Sequence, residues 1–439
     1  MTTRGNGRTT GHRVAVIGAG YVGLPTAATL ARFGHSVVLA ERDLAKLETL
    51  RRGLSPIVEQ DLDELIAGGV ASGNLSFTES AVEAVKGARF VFLCVPTPQS
   101  SDGSADLSFV EAAAKEVAAH LATGAIVVNK STVPVGSATF VEQVIGRSDV
   151  SVVSNPEFLR EGSAVLDSLN PDRIVVGSDD TQAAAKVGEL FATTAAPLIV
   201  TDATTSETIK YASNAFLATK LSFVNALAGL CEEVGADARD VLLGLGYDKR
   251  IGFEFLRPGP GWGGSCLPKD TSALLHIAKE AGYDFSLLAG AIASNDEQLA
   301  RVIGKVEQMC GGSVTGVTLG VWGLTFKANT DDRRESPSLQ ITGRLTELGA
   351  TVQAFDPTVD AEAEPLEDLR GLQLRADPYE AAAGARALVV LTEWDEFRWL
   401  DFSRVLALMA EPCIVDARNL LDPSAVRRMG FRYTGLGRQ

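Results

Sequence analysis

RVAVIGAGYVGL, residues 13–24, is the stretch from which the fold is read. Arg13 to Gly18 is a short apolar run that ends in glycine, as a buried parallel strand does. Helical spacing follows from Val22 to Phe33 and closes at Gly34; Ser36–Ala40 reads as the next strand. Gly18-x-Gly20-x-x-Gly23 stands between strand and helix, and Glu41 closes the second strand. In that context the spacing is a dinucleotide fingerprint. Gly18 permits the tight turn, Gly20 lets the backbone approach a pyrophosphate, and Gly23 lets helix and strand pack closely. The helix start, entered through Tyr21 and Val22, offers free N–H groups and a positive dipole end to phosphate. Glu41 can accept ribose hydroxyls, which favours NAD over NADP, whereas Arg42 beside it is a residue type that holds a 2′-phosphate. The plainer reading is a structural glycine turn without a ligand.

The alternation continues outward. Strands are expected at Phe90–Val95, Ala125–Asn129, Ser151–Ser154, Arg173–Val176 and Leu198–Val200, with helices at Leu107–Leu121 and 136–146. Strand–helix alternation predicts a doubly wound α/β domain. From Ser206 to Gly235 about thirty residues keep helical spacing, with apolar residues on several faces (Ala215, Leu217, Phe223, Leu230). Such a helix should bridge domains or form a subunit interface. More helix is expected to about Gly311. A second α/β run then starts at Gly316–Leu324 and passes through Gln340–Leu348, Thr351–Ala354, Ala387–Leu391 and Cys413–Val415. The expected fold is therefore α/β, with two Rossmann-like doubly wound domains joined by a long central helix. The expected division is a disordered tail at 1–12, a dinucleotide-binding domain at 13–203, a helical connector and dimerisation region at 204–311, and a second Rossmann-like domain at 312–439.

Composition bounds the function. The chain has 439 residues, with 40 Lys+Arg against 55 Asp+Glu, a net charge of −15. That balance argues against a general nucleic-acid binder, and any phosphate site must be locally basic. Five scattered Cys with no Cys-x-x-Cys exclude a complete disulfide framework and a zinc ribbon, so no metal is expected. They fit a reducing cytoplasm. No apolar stretch is expected to approach the roughly 20 residues of a membrane span, and the polar N-terminus has no apolar core of a secretory signal.

Three segments carry candidate chemistry. Cys266 lies in Gly263-Gly264-Ser265-Cys266-Leu267-Pro268-Lys269-Asp270, just before an expected helix at Thr271–Ala281. A thiol at a helix N-terminus is stabilised as thiolate. By residue type alone, Cys266 reads equally well as a small buried packing residue. Asn155-Pro156-Glu157-Phe158-Leu159-Arg160-Glu161-Gly162 follows a strand; taken alone it reads best as the acid-rich first turn of a helix, capped by Asn155, with Glu157 and Glu161 on one face. Lys210 and Asn214, one turn apart on the long helix, form either a polar pocket wall or a solvated stripe. The charged tract Phe326–Ser336 is either a solvated loop or a phosphate surround.

Together these segments resemble the nucleotide-sugar 6-dehydrogenase (UDP-glucose/GDP-mannose dehydrogenase) family. The matching motifs are GAGYVGL (18–24), VPTP (95–98), STVPVG (131–136), NPEFLREG (155–162), KYASNAF (210–216), FLRPGPGWGGSCLPKD (255–270) and GLTFKANTDDRRES (323–336). They span about three-quarters of the chain. The resemblance implies an NAD-dependent twofold oxidation at C6 of a nucleotide sugar, through a thiohemiacetal and a thioester on Cys266. It points to UDP-glucose as substrate and UDP-glucuronate as product, because Ser265 stands where acetamido-sugar members tend to have His. GDP-mannose and UDP-N-acetylmannosamine are the alternatives within the family, and a non-catalytic nucleotide-binding protein is the alternative outside it.

The resemblance also implies a role for each matched residue. Lys210 and Asn214 stabilise developing oxyanions. Asp270 activates water for the thioester step, with Glu157 a second candidate, and Thr132 and Glu161 position a water. Glu41, Lys46, Thr97, Thr132, Glu161, Lys269 and Arg334 contact NAD beside the glycine-rich turn. Glu157, Phe158, Leu159, Lys210, Asn214, Phe255, Leu256, Arg257, Pro258, Gly259, Gly263 and Lys327 line the sugar nucleotide. Arg250 reaches the partner subunit's site, which implies a homodimer or higher homo-oligomer. The sequence departs from the family pattern at Glu41, often Asp, and at Trp262, often Tyr or Phe. The Gly320-Val-Trp-Gly323 turn lacks a full fingerprint.

Overall fold

The computed structural model describes residues 11–100, 102–362 and 367–438. The chain divides into two compact units between Ala212 and Ser213. Most of the expected tail 1–12 lies outside the described residues. His12 is described and is packed: its carbonyl accepts the Ser36 N–H at 2.9 Å, and its ring stacks on His35.

The first unit is built on eight strands: β1 (Arg13–Ile17), β2 (Ser36–Ala40), β3 (Leu75–Thr78), β4 (Phe90–Leu93), β5 (Ile126–Asn129), β6 (Ser151–Ser154), β7 (Ile174–Gly177) and β8 (Leu198–Thr201). Their order is β3-β2-β1-β4-β5-β6-β7-β8, parallel throughout except for the β6–β7 pair. The second unit has β9 (Thr318–Trp322), β10 (Thr351–Phe355), β11 (Gln373–Leu374), β12 (Ala387–Val390), β13 (Cys413–Asp416) and β14 (Arg432–Thr434). Their order, β11-β10-β9-β12-β13-β14, repeats that of the first six strands, and every pair is parallel. Both sheets therefore reverse direction beside their first strand, where a doubly wound sheet opens its ligand crevice. The central strands are apolar on both faces: Phe90 to Leu93 and Ala387 to Val390 are wholly buried. Helices cover each sheet on two sides, which removes that apolar surface from water.

The long helix is Ala203–Val234, and the boundary between the units falls inside it. By length and composition it passes for a membrane span, with a window of mean hydropathy 1.2 that is half buried. That qualifies the expectation that no apolar stretch comes near such a length. The helix also carries Glu207, Lys210, Asn214 and Asn225, all buried and hydrogen-bonded to protein groups, as in the core helix of a globular fold.

Two sequence expectations need correction. Asn155 to Arg160 is irregular, and the helix that follows is Ala164–Leu169. Asn155 does not cap it. Its side chain donates to the Val175 carbonyl at 2.7 Å and accepts from Lys130 Nζ at 3.2 Å. Glu157 and Glu161 are thus not helix-face neighbours. The helix expected at Thr271–Ala281 begins earlier, at Leu267, and ends at Glu280.

Candidate active site

In the first unit the glycine-rich turn has the geometry its residues imply. Gly18 sits at φ 101°, and a Cβ there would lie 2.6 Å from the Cys94 carbonyl oxygen. A Cβ at Gly23 would lie 2.0 Å from the Gly18 carbonyl oxygen, whereas one at Gly20 meets nothing within 4 Å. The backbone at Gly20 therefore faces open space, which fits a pyrophosphate at the start of helix Gly23–Arg32. Glu41 accepts the Ala19 N–H at 3.0 Å and the Asp43 N–H at 2.9 Å, so its carboxylate is fixed beside the turn. Arg42 pairs instead with Glu116. Lys46 lies in the first turn of helix Leu44–Arg51. Thr97 donates its hydroxyl to the Thr132 carbonyl at 2.8 Å, tying the turn after β4 to the loop after β5.

The same unit holds a buried ionic cluster. Lys210 Nζ lies 2.7 Å from Glu157 Oε1, with the two side chains 5% and 4% exposed. The buried setting excludes the solvated-stripe reading of Lys210. Glu157 Oε2 accepts the Leu159 N–H at 2.6 Å. Burial pushes the Glu157 carboxyl up, but the Lys210 charge and hydrogen bond, the Leu159 N–H and the Lys130 charge outweigh it and hold it below the ordinary range. The Phe158 ring has two cations near it, with its centre 3.7 Å from the Arg173 guanidinium carbon and 5.5 Å from Lys210 Nζ. Lys130 is a residue the motif reading passed over. It is buried, and its ammonium donates to the Asn155 side chain. Burial pushes it down to about 8, the Lys210 charge adds to the drop, and Cys94 and Glu157 oppose it. Its only sequence signal is a Lys that directly follows the apolar strand Ile126–Asn129.

In the second unit Cys266 is the residue immediately before helix Leu267–Glu280, with Pro268 and Asp270 in the first turn. Its Sγ is 3.5 Å from the Ser265 hydroxyl. The other four cysteines are buried, while Cys266 is partly accessible. Asp270 is fully buried; one oxygen accepts from Asn214 Nδ2 at 2.6 Å and the other pairs with Lys269 Nζ at 2.6 Å. The Gly/Pro-rich segment before Cys266 has no regular structure of its own and is anchored by polar side chains from two helices. Asn225 accepts the Gly259 N–H, Gln298 donates to the Gly259 carbonyl, Asn295 bonds both the N–H and the carbonyl of Trp262, and Ser222 accepts the Trp262 indole N–H. Sequence reading missed these four anchors, since three amides and a hydroxyl buried on two helices have no spacing signature.

The remaining candidates of this unit are spread along that segment and the loop after β9. Leu256 is buried, Phe255 and Pro258 are half-buried, and Arg257 is exposed. Phe255 sits at φ 58°. A Cβ at Gly263 would lie 2.0 Å from the Glu335 carbonyl oxygen, so the two segments touch through backbone. Lys327 is half-buried beside the Phe326 ring. Arg334 is held by both oxygens of Asp332. Arg418, also passed over, donates to the Leu391 and Phe326 carbonyls at 2.7 and 2.6 Å. The Arg250 side chain is 89% exposed and pairs with Asp248 of its own loop.

A dinucleotide-binding Rossmann unit, followed by a unit that presents an accessible thiol at a helix N-terminus and carries a second sheet of the same order, is the outline of an NAD-dependent dehydrogenase. Three domain descriptions of one family match the sequence: the UDP-glucose/GDP-mannose dehydrogenase NAD-binding domain over 12–195, central domain over 204–297 and UDP-binding domain over 320–423. The chain belongs to the UDP-glucose/GDP-mannose dehydrogenase family, and its cofactor is NAD. It is 47% identical to a UDP-glucose 6-dehydrogenase of Rhizobium meliloti (strain 1021), covering 97% of this chain and 99% of that one. A UDP-glucose dehydrogenase structure from Pyrobaculum islandicum superposes with a TM-score of 0.89 at 36% identity, over 100% of both chains. A UDP-D-ManNAc dehydrogenase structure from Pyrococcus horikoshii gives 0.85 at 29% identity, over 97% of this chain and 99% of that one.

Proposed function

We propose that the protein oxidises UDP-glucose twice at C6 to UDP-glucuronate. One UDP-glucose, two NAD⁺ and one water give UDP-glucuronate, two NADH and three protons. The observation that carries the reading is the placement of Cys266, the accessible thiol of the five, at the start of a 14-residue helix. NAD⁺ supplies the hydride acceptor for both oxidations. Removal of a hydride and a proton from the C6 alcohol gives an aldehyde. The Cys266 thiolate adds to its carbonyl carbon, and the resulting alkoxide takes a proton to become a thiohemiacetal. Loss of a second hydride and proton gives a thioester, which water cleaves to the carboxylate, returning the thiol. The covalent link retains a reactive aldehyde and presents a hydride donor a second time.

The chain's own residues support this sequence of steps. Lys210 and Asn214 bear on the oxyanions, as ammonium and amide donors. Glu157 is held ionised by the charges around it, which makes it a weak base and favours Asp270 as the acid that activates water. Thr132 and Glu161 position that water. The glycine-rich turn with Glu41, Lys46, Thr97, Lys269 and Arg334 serves NAD. Phe158, Leu159, Phe255–Gly259, Gly263 and Lys327 serve the sugar nucleotide.

The protein works as a homodimer or a multiple of it, with Arg250 directed to the partner's substrate. In support, Phe216, Phe223 and Leu230 recur every seven residues on one face of the long helix and are 69%, 60% and 55% exposed. Such a stripe suits a second copy of the same helix across a two-fold axis. Five unpaired thiols support a reducing compartment, and we place the protein in the cytoplasm.

The test is NADH stoichiometry on UDP-glucose, GDP-mannose and UDP-N-acetylmannosamine. The expected outcome is two NADH per sugar with UDP-glucose preferred. One NADH per sugar, or preference for another nucleotide sugar, refutes the reading.

A further inference from the structure

Glu207 stands one helical turn before Lys210 and belongs to none of the motifs above. It is 2% exposed, one of the polar side chains that the long helix buries together with Lys210, Asn214 and Asn225. Its two oxygens accept backbone N–H groups of another segment: Gly136 at 2.7 Å and Ala138 at 2.8 Å. Those groups open helix Ser137–Ile145, whose cap position is Gly136 at φ 95° and which has no side-chain cap of its own. A helix start leaves such donors unsatisfied, and a residue 69 to 71 positions away supplies the acceptor.

The same segment is pinned at its other end. Thr97 donates to the Thr132 carbonyl at 2.8 Å, and the Ser131 hydroxyl donates to the Val95 carbonyl at 2.7 Å. Residues 131–136 are therefore held at the start by the turn after β4 and at the end by Glu207. We propose that Glu207 is a positioning residue for the oxidation: its carboxylate locks the 131–136 loop, and with it Thr132, to the helical turn that carries Lys210. This rests on the reading above that Thr132 and Lys210 act in the reaction.

The lock depends on ionisation. Burial pushes the Glu207 carboxyl up to about 7, while the Gly136, Ala138 and Ser137 N–H groups oppose the rise and the Asp202 charge adds to it. Asp202 precedes the same helix and is itself turned to Thr205. Lys210 is engaged by Glu157, and Glu142, the acid of helix Ser137–Ile145, faces Asp179. Protonation converts one oxygen of Glu207 from acceptor to donor and leaves a buried N–H without its partner. Activity should then fall as pH drops through about 7.

The test compares wild type with Glu207→Gln over a range from about pH 6 to about pH 8.5, varying NAD⁺ and UDP-glucose separately. Gln keeps the shape but can accept from only one of the two N–H groups. The variant should lose about tenfold in kcat/KM for NAD⁺ at the alkaline end, the worth of one hydrogen bond to a charged group. The gap should close at the acid end, where the wild type is itself protonated. A variant with wild-type rates and the wild-type acid limb, or a deficit equal at every pH, overturns the proposal. Melting curves check that the variant is folded. If it is not, Ala138→Pro decides, because it removes one donor and leaves the carboxylate intact; Pro268 already occupies the second position of helix Leu267–Glu280. The acid limb should then move to higher pH, and an unmoved limb overturns the proposal. A wild type that fails to oxidise UDP-glucose refutes the functional reading instead, so the two failures are distinct.

Discussion

Replacing Lys210 by Met removes the buried charge while keeping a side chain of similar length at a position that is 4% exposed. The pair it breaks is 2.7 Å long, with side chains 5% and 4% exposed. Glu157 would stay buried with the Leu159 N–H and the Lys130 and Arg173 charges among its remaining favourable partners. Removing one member of a buried pair costs about 3–5 kcal/mol. Lys130 softens the loss, so the expected cost is about 3 kcal/mol near pH 8. In the wild type the Glu157 pKa is depressed, so its contribution to stability is present above the unfolded value of about 4.3 and is lost as pH falls through the folded value. In the variant burial wins and the pKa rises. The carboxylate then costs stability at high pH, and the cost is relieved as pH falls. The gap between the two proteins should be widest at about pH 8 and should narrow toward about pH 5.

All four tryptophans (262, 322, 394 and 399) lie in the second unit, so their fluorescence does not report on this pair. Hydrogen exchange read by mass spectrometry on peptides covering β5 and β6 does. At about 3 kcal/mol, their most protected amides should exchange roughly a hundredfold faster in the variant. Adding Glu157→Gln to Lys210→Met should restore most of the protection and no activity. A difference under about 1 kcal/mol, the worth of an exposed pair, refutes the reasoning, as does a gap that widens as pH falls.

Cys266→Ser should form no UDP-glucuronate, because a serine hydroxyl is not ionised as a thiol is and an oxygen ester does not replace the thioester; accumulation of product by mass spectrometry would contradict the covalent route. Iodoacetamide should label Cys266 ahead of Cys94, whose buried thiol is pushed up to about 12, and peptide mapping that finds Cys94 first would contradict the assignment. Phe223→Glu should split the dimer proposed above, at about 2 kcal/mol or more per interface as for a central aromatic anchor, and unchanged mass by light scattering would remove the long helix from the proposed interface. Glu41→Gln should raise KM for NAD⁺ about tenfold with kcat little changed, since it removes binding common to ground and transition states; an unchanged KM would refute a ribose role.

Much of the architecture was legible because parallel strands buried on both faces are nearly uninterrupted apolar runs. β2 and β6 fall on the ranges read from the sequence, and β1 differs by one residue. β3, β11 and β14 were not read: Leu75–Thr78 alternates over only four residues, and the other two have two and three residues. The acid-rich segment after β6 was misread for a different reason. Its local pattern does favour a helix start, but Asn155 is claimed by Lys130 and the Val175 carbonyl, and Glu157 by Lys210, at separations of 20 to 53 residues. No local rule sees partners that distant. Lys130 and Glu207 were missed because one charge at the end of an apolar strand, or among the polar residues of a helix's first turns, is not distinguished by spacing from a solvated residue.

The two sheets share a strand order, and the way they differ bears on what each can bind. Gly323 at φ 92° donates its N–H to Phe355 at the end of β10, as Gly18 at φ 101° does to Ala40 at the end of β2. Asp356 follows β10 as Glu41 follows β2, and each acid reaches back to the backbone of the glycine turn. Glu41 is half-exposed, with capacity left for a ribose hydroxyl. Asp356 is 1% exposed and is occupied by Leu324, Thr325, Thr358 and the Trp394 indole. In the first unit the helix starts at Gly23, directly after the turn, and presents its N–H groups to phosphate. In the second it starts only at Pro337, and the intervening loop carries Lys327, with Arg418 donating to the Phe326 carbonyl beside it. A dinucleotide held by backbone amides and a ribose acid suits the first arrangement. A diphosphate met by cationic side chains suits the second, and such side chains are what an anionic ligand needs on a chain with a net charge of −15. The missing fingerprint at Gly320–Gly323 is therefore the consequence of a loop inserted between turn and helix, which exchanges one mode of phosphate recognition for another.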